Sequence, residues 1–162
     1  MKFTLFIIIS FYAGCSSLSD EELWKMVEQA KANKNWDSTL QVSQRILQEY
    51  PDGKFGGWAQ FAIAESYRFK NQPREALNNY KIFVDRFPTM QPAALSLFLI
   101  GYIYGNNLNM NDSAKIYYEQ FLTQYPNHDL VPSVKLELES LGKSPQEVLE
   151  QTTKQQRSVT RK

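Results

Sequence analysis

The sequence predicts an all-α protein, a helical solenoid of three helix–turn–helix repeats followed by C-terminal capping helices. Three observations support this fold class. An aromatic residue followed by proline recurs at spacings of 37 and 38 residues, small and large residues recur in step before it, and 43% of the 162 residues are hydrophobic. A period of this length is typical of arrays in which each unit packs on its neighbours. An unrelated helical bundle is the alternative.

The second helix of each unit ends at one of the aromatic–proline pairs, Tyr50-Pro51, Phe87-Pro88 and Tyr125-Pro126. Positions twelve, eight and five residues before each proline share one face of a helix, because they are four and three residues apart. These positions hold Thr39, Ala76 and Ala114, then Ser43, Tyr80 and Tyr118, then Ile46, Phe83 and Phe121. We expect this face to pack against the neighbouring helix, with the small residue permitting close approach.

The first helix of each unit repeats in the same register. Residues 61–67 align with residues 98–104 at an offset of 37, and residues 24–30 form a weaker copy. Pro73 suits the first position of the next helix, where its missing N–H has no consequence. Residues 106–112 should form a turn that is one residue longer in the third unit.

The chain after the third unit predicts two further helices. Residues 131–141 form one, which ends at Gly142, and Ser144 and Glu147 have the spacing of a capping box that opens another. The repeat domain is therefore expected over residues 19–150. Residues 151–162 are basic and almost devoid of apolar side chains, which is typical of a disordered tail.

The N-terminus has the features of a targeting signal. Lys2 precedes an apolar run over residues 3–13, which fits a secretory signal peptide and is too short to span a bilayer. The run Tyr12-Ala13-Gly14-Cys15 resembles a bacterial lipobox, although Tyr12 replaces the usual aliphatic residue. The resemblance implies a signal peptide over residues 1–14, a lipid on Cys15 and a short tether over residues 15–18.

That lipobox resemblance also bears on localisation. Ser16 directly after the cysteine implies sorting to the outer membrane, with the periplasmic side favoured over the cell surface. Two or three acyl chains hold a protein stably on a bilayer, whereas one chain binds only marginally. The alternatives are an ordinary secretory signal that is cut elsewhere, and a buried N-terminal helix.

The repeats resemble the tetratricopeptide repeat family over about residues 20–126. The family's second-helix alanine, aromatic and closing proline correspond to Ala76, Tyr80 and Pro88, and its first-helix pattern corresponds to residues 63–67 and 100–104. The first-helix tryptophan of the family is absent. The resemblance implies a scaffold for protein–protein interaction. It extends to small bacterial lipoproteins of outer-membrane barrel assembly and Tol–Pal coordination, though the barrel-assembly component has more repeats.

Composition excludes several other classes of function. The 18 basic residues nearly balance 17 acidic ones, and a concentration of positive charge is present only at the extreme C-terminus, so nucleic acid is not expected as a partner. One cysteine and one histidine leave no metal cluster of the usual kind, and no cofactor motif is present. His128 is interpreted as a surface loop residue and not as a catalytic base, and Gly53, Gly56 and Gly57 as turn residues between repeats. We therefore expect no enzymatic activity.

The same family register predicts a binding surface. It places Trp24, Phe61 and Phe98 at one position of the first helices that lines the concave face of the family's superhelix. The next such position holds Glu28, Glu65 and Tyr102. With Trp58 and Arg68, these residues form a candidate aromatic groove for an extended or helical peptide. The alternative is that the three aromatic residues simply pack between repeats.

These observations lead to one functional hypothesis with a rival. The chain is expected to be a membrane-anchored scaffold lipoprotein that recruits a protein partner in the bacterial cell envelope, in outer-membrane assembly or maintenance. The rival is a periplasmic repeat module without a lipid that binds peptide or glycan fragments.

Overall fold

The computed structural model describes residues 18–144, 146–150 and 153. Cys15, the predicted signal peptide and most of the predicted basic tail lie outside these residues. Within the described part of the chain the regular secondary structure is helical, and residues 146–150 are helical as well. The seven longer helices are α1 (Asp20–Ala32), α2 (Trp36–Glu49), α3 (Gly56–Phe69), α4 (Pro73–Arg86), α5 (Ala93–Tyr102), α6 (Asn111–Gln124) and α7 (Val131–Ser140).

Each helix packs mainly on the helices next to it in sequence, from α1 on α2 through to α6 on α7. The hydrophobic core correspondingly divides into three clusters, one for each helix pair and the helix that follows it. This arrangement confirms the predicted all-α solenoid. No helix within the described ranges combines the length and apolar character needed to cross a membrane.

The packing face of the second helices is confirmed. All nine residues at the three recurring positions before the prolines of α2, α4 and α6 are fully buried. Tyr80, Phe83, Tyr118 and Phe121 are the largest side chains among them, and they form part of the second and third core clusters along the chain.

The turn within each unit uses the same backbone geometry. Lys34, Asn71 and Asn109 each adopt a positive φ, between 53° and 57°. In the first two turns, the residue after the one with positive φ donates its N–H to the carbonyl five residues earlier. Gln72 N, for example, donates to the Tyr67 carbonyl at 2.9 Å. The third unit makes the equivalent bond from Met110 to Tyr104, at 2.8 Å, across one more residue.

The extra residue of the third unit is accommodated in its first helix and not in a longer turn. The chain after α5 continues as a π-helical turn over Ile103–Asn107, and α6 already begins at Asn111. The prediction of a turn over residues 106–112 is therefore wrong in its bounds. One inserted residue can be taken up within a helix when its hydrogen bonds locally span five residues instead of four, at a small energetic cost. The insertion therefore lies in the first helix and leaves the turn unchanged in length.

The connections between units also repeat. Gly53, Met90 and His128 occupy equivalent positions, and each donates its N–H to the carbonyl three residues before it, at 3.0, 3.2 and 3.1 Å. The interpretation of Gly56 and Gly57 as turn residues is wrong, since both lie in the first turn of α3. A Cβ on Gly57 would stand 2.3 Å from Met90 Sδ, so a close approach to the next connection requires this glycine.

The C-terminal helices continue the repeat. Val134 of α7 is fully buried at the position that Ala59 and Ser96 hold in the earlier first helices, 37 and 38 residues apart. The predicted capping box is confirmed, because Ser144 N donates to Glu147 Oε2 at 2.7 Å and Glu147 N donates to Ser144 Oγ at 3.3 Å. The predicted capping helices therefore correspond to the start of a fourth unit.

Candidate partner-binding groove

A pocket of about 310 Å³ opens between the first helices of the first and second units. We call it the indole pocket, and it is lined by Trp24, Glu28, Lys31, Trp58 and Phe61. The α1 residues are four and three positions apart and the two α3 residues are three apart, so each helix presents one face to the pocket. Four of the residues predicted for the groove, Trp24, Glu28, Trp58 and Phe61, therefore come together here.

Aromatic contacts fix the walls of the indole pocket. The Trp24 ring stacks on Phe55 with the centroids 5.4 Å apart, and it lies 6.5 Å from the Trp58 ring at 46°. Trp24 is half-buried, whereas Trp58 is 37% exposed. An exposed indole beside a supported one leaves aromatic surface open to a ligand.

Phe61 serves the core as well as the pocket. Only 7% of its surface is exposed, and its ring lies 5.4 Å from Phe83 and 6.0 Å from Tyr80. Packing on α4 of its own unit therefore explains most of the burial of this side chain. Its remaining surface lines the indole pocket.

Three charged side chains surround the indole pocket. Lys31 Nζ lies 2.7 Å from Glu65 Oε2, which joins α1 to α3 across the two units. Glu28 is exposed and makes no hydrogen bond or ion pair with any residue that the structure describes. The pocket edge therefore holds one neutralised pair and one unpaired carboxylate.

The groove residues of the third unit lie apart from the indole pocket. The Phe98 ring is half-buried and lies 6.1 Å from Tyr118 and 6.2 Å from Tyr102. Tyr102 is 39% exposed, and Leu95, at the position equivalent to Trp58, is 37% exposed. These side chains extend an exposed apolar surface along α5, although they line no common pocket with Trp24.

Arg68 is held within the second unit. Its Nε donates to the Tyr80 hydroxyl at 3.2 Å, and its guanidinium lies 4.1 Å from the centre of the Phe69 ring. Burial raises the pKa of Tyr80, and the neighbouring Arg68 charge opposes that shift. Arg68 therefore joins α3 to α4 and does not face the indole pocket.

Two residues were missed in the sequence, Lys31, which lines the pocket, and Phe55, which supports Trp24. Lys31 follows Glu28 by three residues and so shares its helix face, a signal that was available from the helical period alone. Phe55 precedes α3, and its stacking behind Trp24 depends on how the connection folds. No local sequence pattern predicts that contact.

His128 has a structural role in the connection after α6. Its ring lies 5.6 Å from Phe121, and its Nδ1 accepts the N–H of Leu130 at 3.1 Å. This geometry agrees with its interpretation as a loop residue. Across the described residues, no group of three histidine, cysteine or acidic side chains is arranged to hold a metal ion.

Comparison with known families supports the repeat assignment. Residues 58–89 and 95–128 match the tetratricopeptide repeat model, which supports the predicted resemblance of the second and third units to this family. Such repeats generally act as protein-interaction modules and present extended binding surfaces. No curated protein shows significant sequence similarity to the chain.

Proposed function

We propose that this protein is a scaffold that binds a protein partner along its first helices and is held at a bacterial membrane by a lipid on Cys15. The observation that supports partner binding is the indole pocket, where Trp58 remains exposed beside Trp24. Large aromatic side chains that line a pocket and keep part of their surface exposed are typical of interaction sites.

The exposed surface continues beyond the pocket. Trp58, Leu95 and Tyr102 lie on the first helices of successive units, so a bound segment would contact more than one repeat. Contacts spread over several units favour a protein or peptide ligand over a small molecule, because a small ligand needs one enclosed pocket.

The described start of the chain is compatible with membrane anchoring. Leu18 packs on the first core cluster, and its carbonyl accepts the Tyr50 hydroxyl at 2.6 Å. Only Ser16 and Ser17 separate this fixed residue from Cys15, a reach of roughly 10 Å. A lipid on Cys15 would therefore keep the first unit near the bilayer, and Ser16 favours the outer membrane.

Site-specific photo-crosslinking in the native envelope tests the groove. A photoreactive phenylalanine derivative replaces Trp58 or Tyr102 in the groove. In the controls it replaces Ile82 of α4 or Ile116 of α6, which are at least as exposed as the groove residues. We expect one crosslinked partner from the groove positions and little from the controls. Equal crosslinking from all four positions would contradict the proposed surface.

Metabolic labelling with a fatty-acid analogue tests the anchor. We expect label on the wild-type chain and none on Cys15→Ala, with membrane fractionation changing in parallel. An unlabelled wild-type chain, or label that persists in the variant, would refute the anchor. Groove crosslinking without any label would instead favour a periplasmic module that binds peptide or glycan fragments without a lipid.

A further inference from the structure

We propose that the indole pocket takes a cationic side chain, an arginine or a lysine in an extended segment of the partner. This inference rests on the proposed function, since it specifies the partner chemistry of the same groove. It follows from the ring geometry of the pocket, from its charge and from its size.

The ring geometry suits a cation. The indoles of Trp24 and Trp58 lie 6.5 Å apart and are inclined at 46°, with Phe61 between the same two helices. The face of an aromatic ring attracts a positive charge, and tryptophan does so most strongly. A side chain that occupies the pocket, which both indoles line, would contact both of them.

The charge of the pocket points to the same ligand. The Lys31 charge is neutralised by Glu65 at 2.7 Å, so the pocket edge retains the single negative charge of Glu28. A purely apolar anchor would take water from this carboxylate without replacing its hydrogen bonds, which is unfavourable. An ammonium or guanidinium group would donate to Glu28 while its alkyl stem covers the rings.

The size of the pocket limits the ligand to one side chain. Its volume of about 310 Å³ is at the lower end of the range for ligand pockets, roughly 300–1,000 Å³. The flanking surface on α5 provides separate contacts for the rest of the segment through Leu95 and Tyr102. We therefore infer a basic side chain in the indole pocket and apolar contacts along the next unit.

Panning a phage-displayed library of random peptides against the detergent-solubilised full chain tests this proposal. We expect enriched peptides to share an arginine or lysine whose replacement by methionine weakens binding about five- to tenfold. Glu28→Gln should weaken binding to a similar degree and reduce its dependence on salt. Glu119→Gln on α6 removes a comparably exposed carboxylate away from the pocket and should have no effect.

Two substitutions of Trp58 separate the cation from an apolar anchor. Trp58→Phe retains an aromatic face, whereas Trp58→Leu retains only apolar surface and should bind about fivefold more weakly than Trp58→Phe. Some peptides could lose binding to Trp58→Ala, and so require the groove, yet bind Glu28→Gln and Trp58→Leu as well as the wild type. Such peptides would overturn the cation proposal alone. If no enriched peptide depended on Trp58, the cation proposal and the proposed groove would both fail.

Discussion

Gly101 of α5 lies directly against the Tyr118 ring of α6. A Cβ on Gly101 would stand 2.6 Å from Cε1 and 2.7 Å from Cδ1 of that ring, well inside contact distance. The absence of a side chain at Gly101 therefore lets α5 and α6 approach closely enough to bury Tyr118 completely.

The two positions vary together from one unit to the next. The first-helix position holds Val27, then Ala64, then Gly101, while the second-helix position holds Ser43, then Tyr80, then Tyr118. All of these side chains are buried. The unit with the small Ser43 therefore has the larger Val27, whereas the two units with a tyrosine have Ala64 or Gly101 at the first-helix position.

We predict that Gly101→Ala destabilises the fold by about 1–3 kcal/mol, because the new methyl group forces the Tyr118 ring or the helix to move. Equilibrium unfolding in urea measures the change. Gly105→Ala is the matched control and should cost less, since its Cβ would meet the end of the flexible Leu141 side chain at 3.1 Å and the Ala114 Cβ at an ordinary contact distance of 3.4 Å.

A double-mutant cycle identifies the contact responsible. Tyr118→Leu removes the ring that would clash with the methyl group added by Gly101→Ala. The loss of unfolding free energy caused by Gly101→Ala should therefore be smaller in that background than in the wild type. Additive free-energy changes would show that the clash with Tyr118 is not the cause.

We predict that Ser43→Ala stabilises the protein by about 1 kcal/mol, since a buried hydroxyl without a partner retains its desolvation cost. Ser43 Oγ is fully buried and makes no hydrogen bond with any described residue. Ser66→Ala is the control, because the equally buried Ser66 Oγ donates to the Ala62 carbonyl at 2.7 Å. A gain of stability in both variants, or in neither, would contradict this explanation.

The fold was predictable from the sequence because each unit repeats a local rule. Recurring residues such as Ala76, Tyr80 and Phe83 specify one helix face, and the period repeats that face along the chain. The first turn of α3 was misplaced because it packs on the next connection, a contact that leaves no local pattern. The Ile103–Asn107 π-helical turn takes up the extra residue of the third unit, and the period shows that residue without showing whether the helix or the turn contains it.

The site was predictable only in part. The family register identified Trp24, Trp58 and Phe61 as candidates, and the structure brings these three together. The same register could not separate them from Phe98, because a shared repeat position says nothing about the side chains of neighbouring units. The groove assignment itself remains a prediction until a partner is identified.

We predict that Lys34→Gly stabilises the protein by about 0.5–1 kcal/mol. Lys34 has a φ of 53°, and left-handed backbone is unfavourable for a residue with a Cβ. The equivalent turns use Asn71 and Asn109, which tolerate this conformation better. Thermal unfolding should show a higher midpoint for Lys34→Gly and an unchanged or lower midpoint for Lys34→Ala. A higher midpoint in both variants would show that the lysine side chain, and not the backbone conformation, is unfavourable.

The N-terminal capping box should make stability depend on acid pH. Ser19 donates to Glu22 Oε2 from its backbone N at 2.8 Å and from its hydroxyl at 3.1 Å. The backbone hydrogen bond, followed by the hydroxyl one, lowers the pKa of Glu22 below its usual value of 4.5. The carboxylate therefore stabilises the fold above that pH, and the contribution is lost as the pH falls through the folded-state pKa.

We accordingly predict that Glu22→Ala lowers the unfolding midpoint at neutral pH and that its difference from the wild type shrinks below about pH 4.5. Urea unfolding measured at a series of pH values checks this. The similar capping bonds of Glu147 are present in both proteins and cancel in the comparison. Glu21→Ala is the control, because Glu21 lies in the same helix turn but outside the capping box. If Glu21→Ala had the same pH profile as Glu22→Ala, negative charge near the helix end, and not the hydrogen bonds from Ser19, would cause the pH dependence.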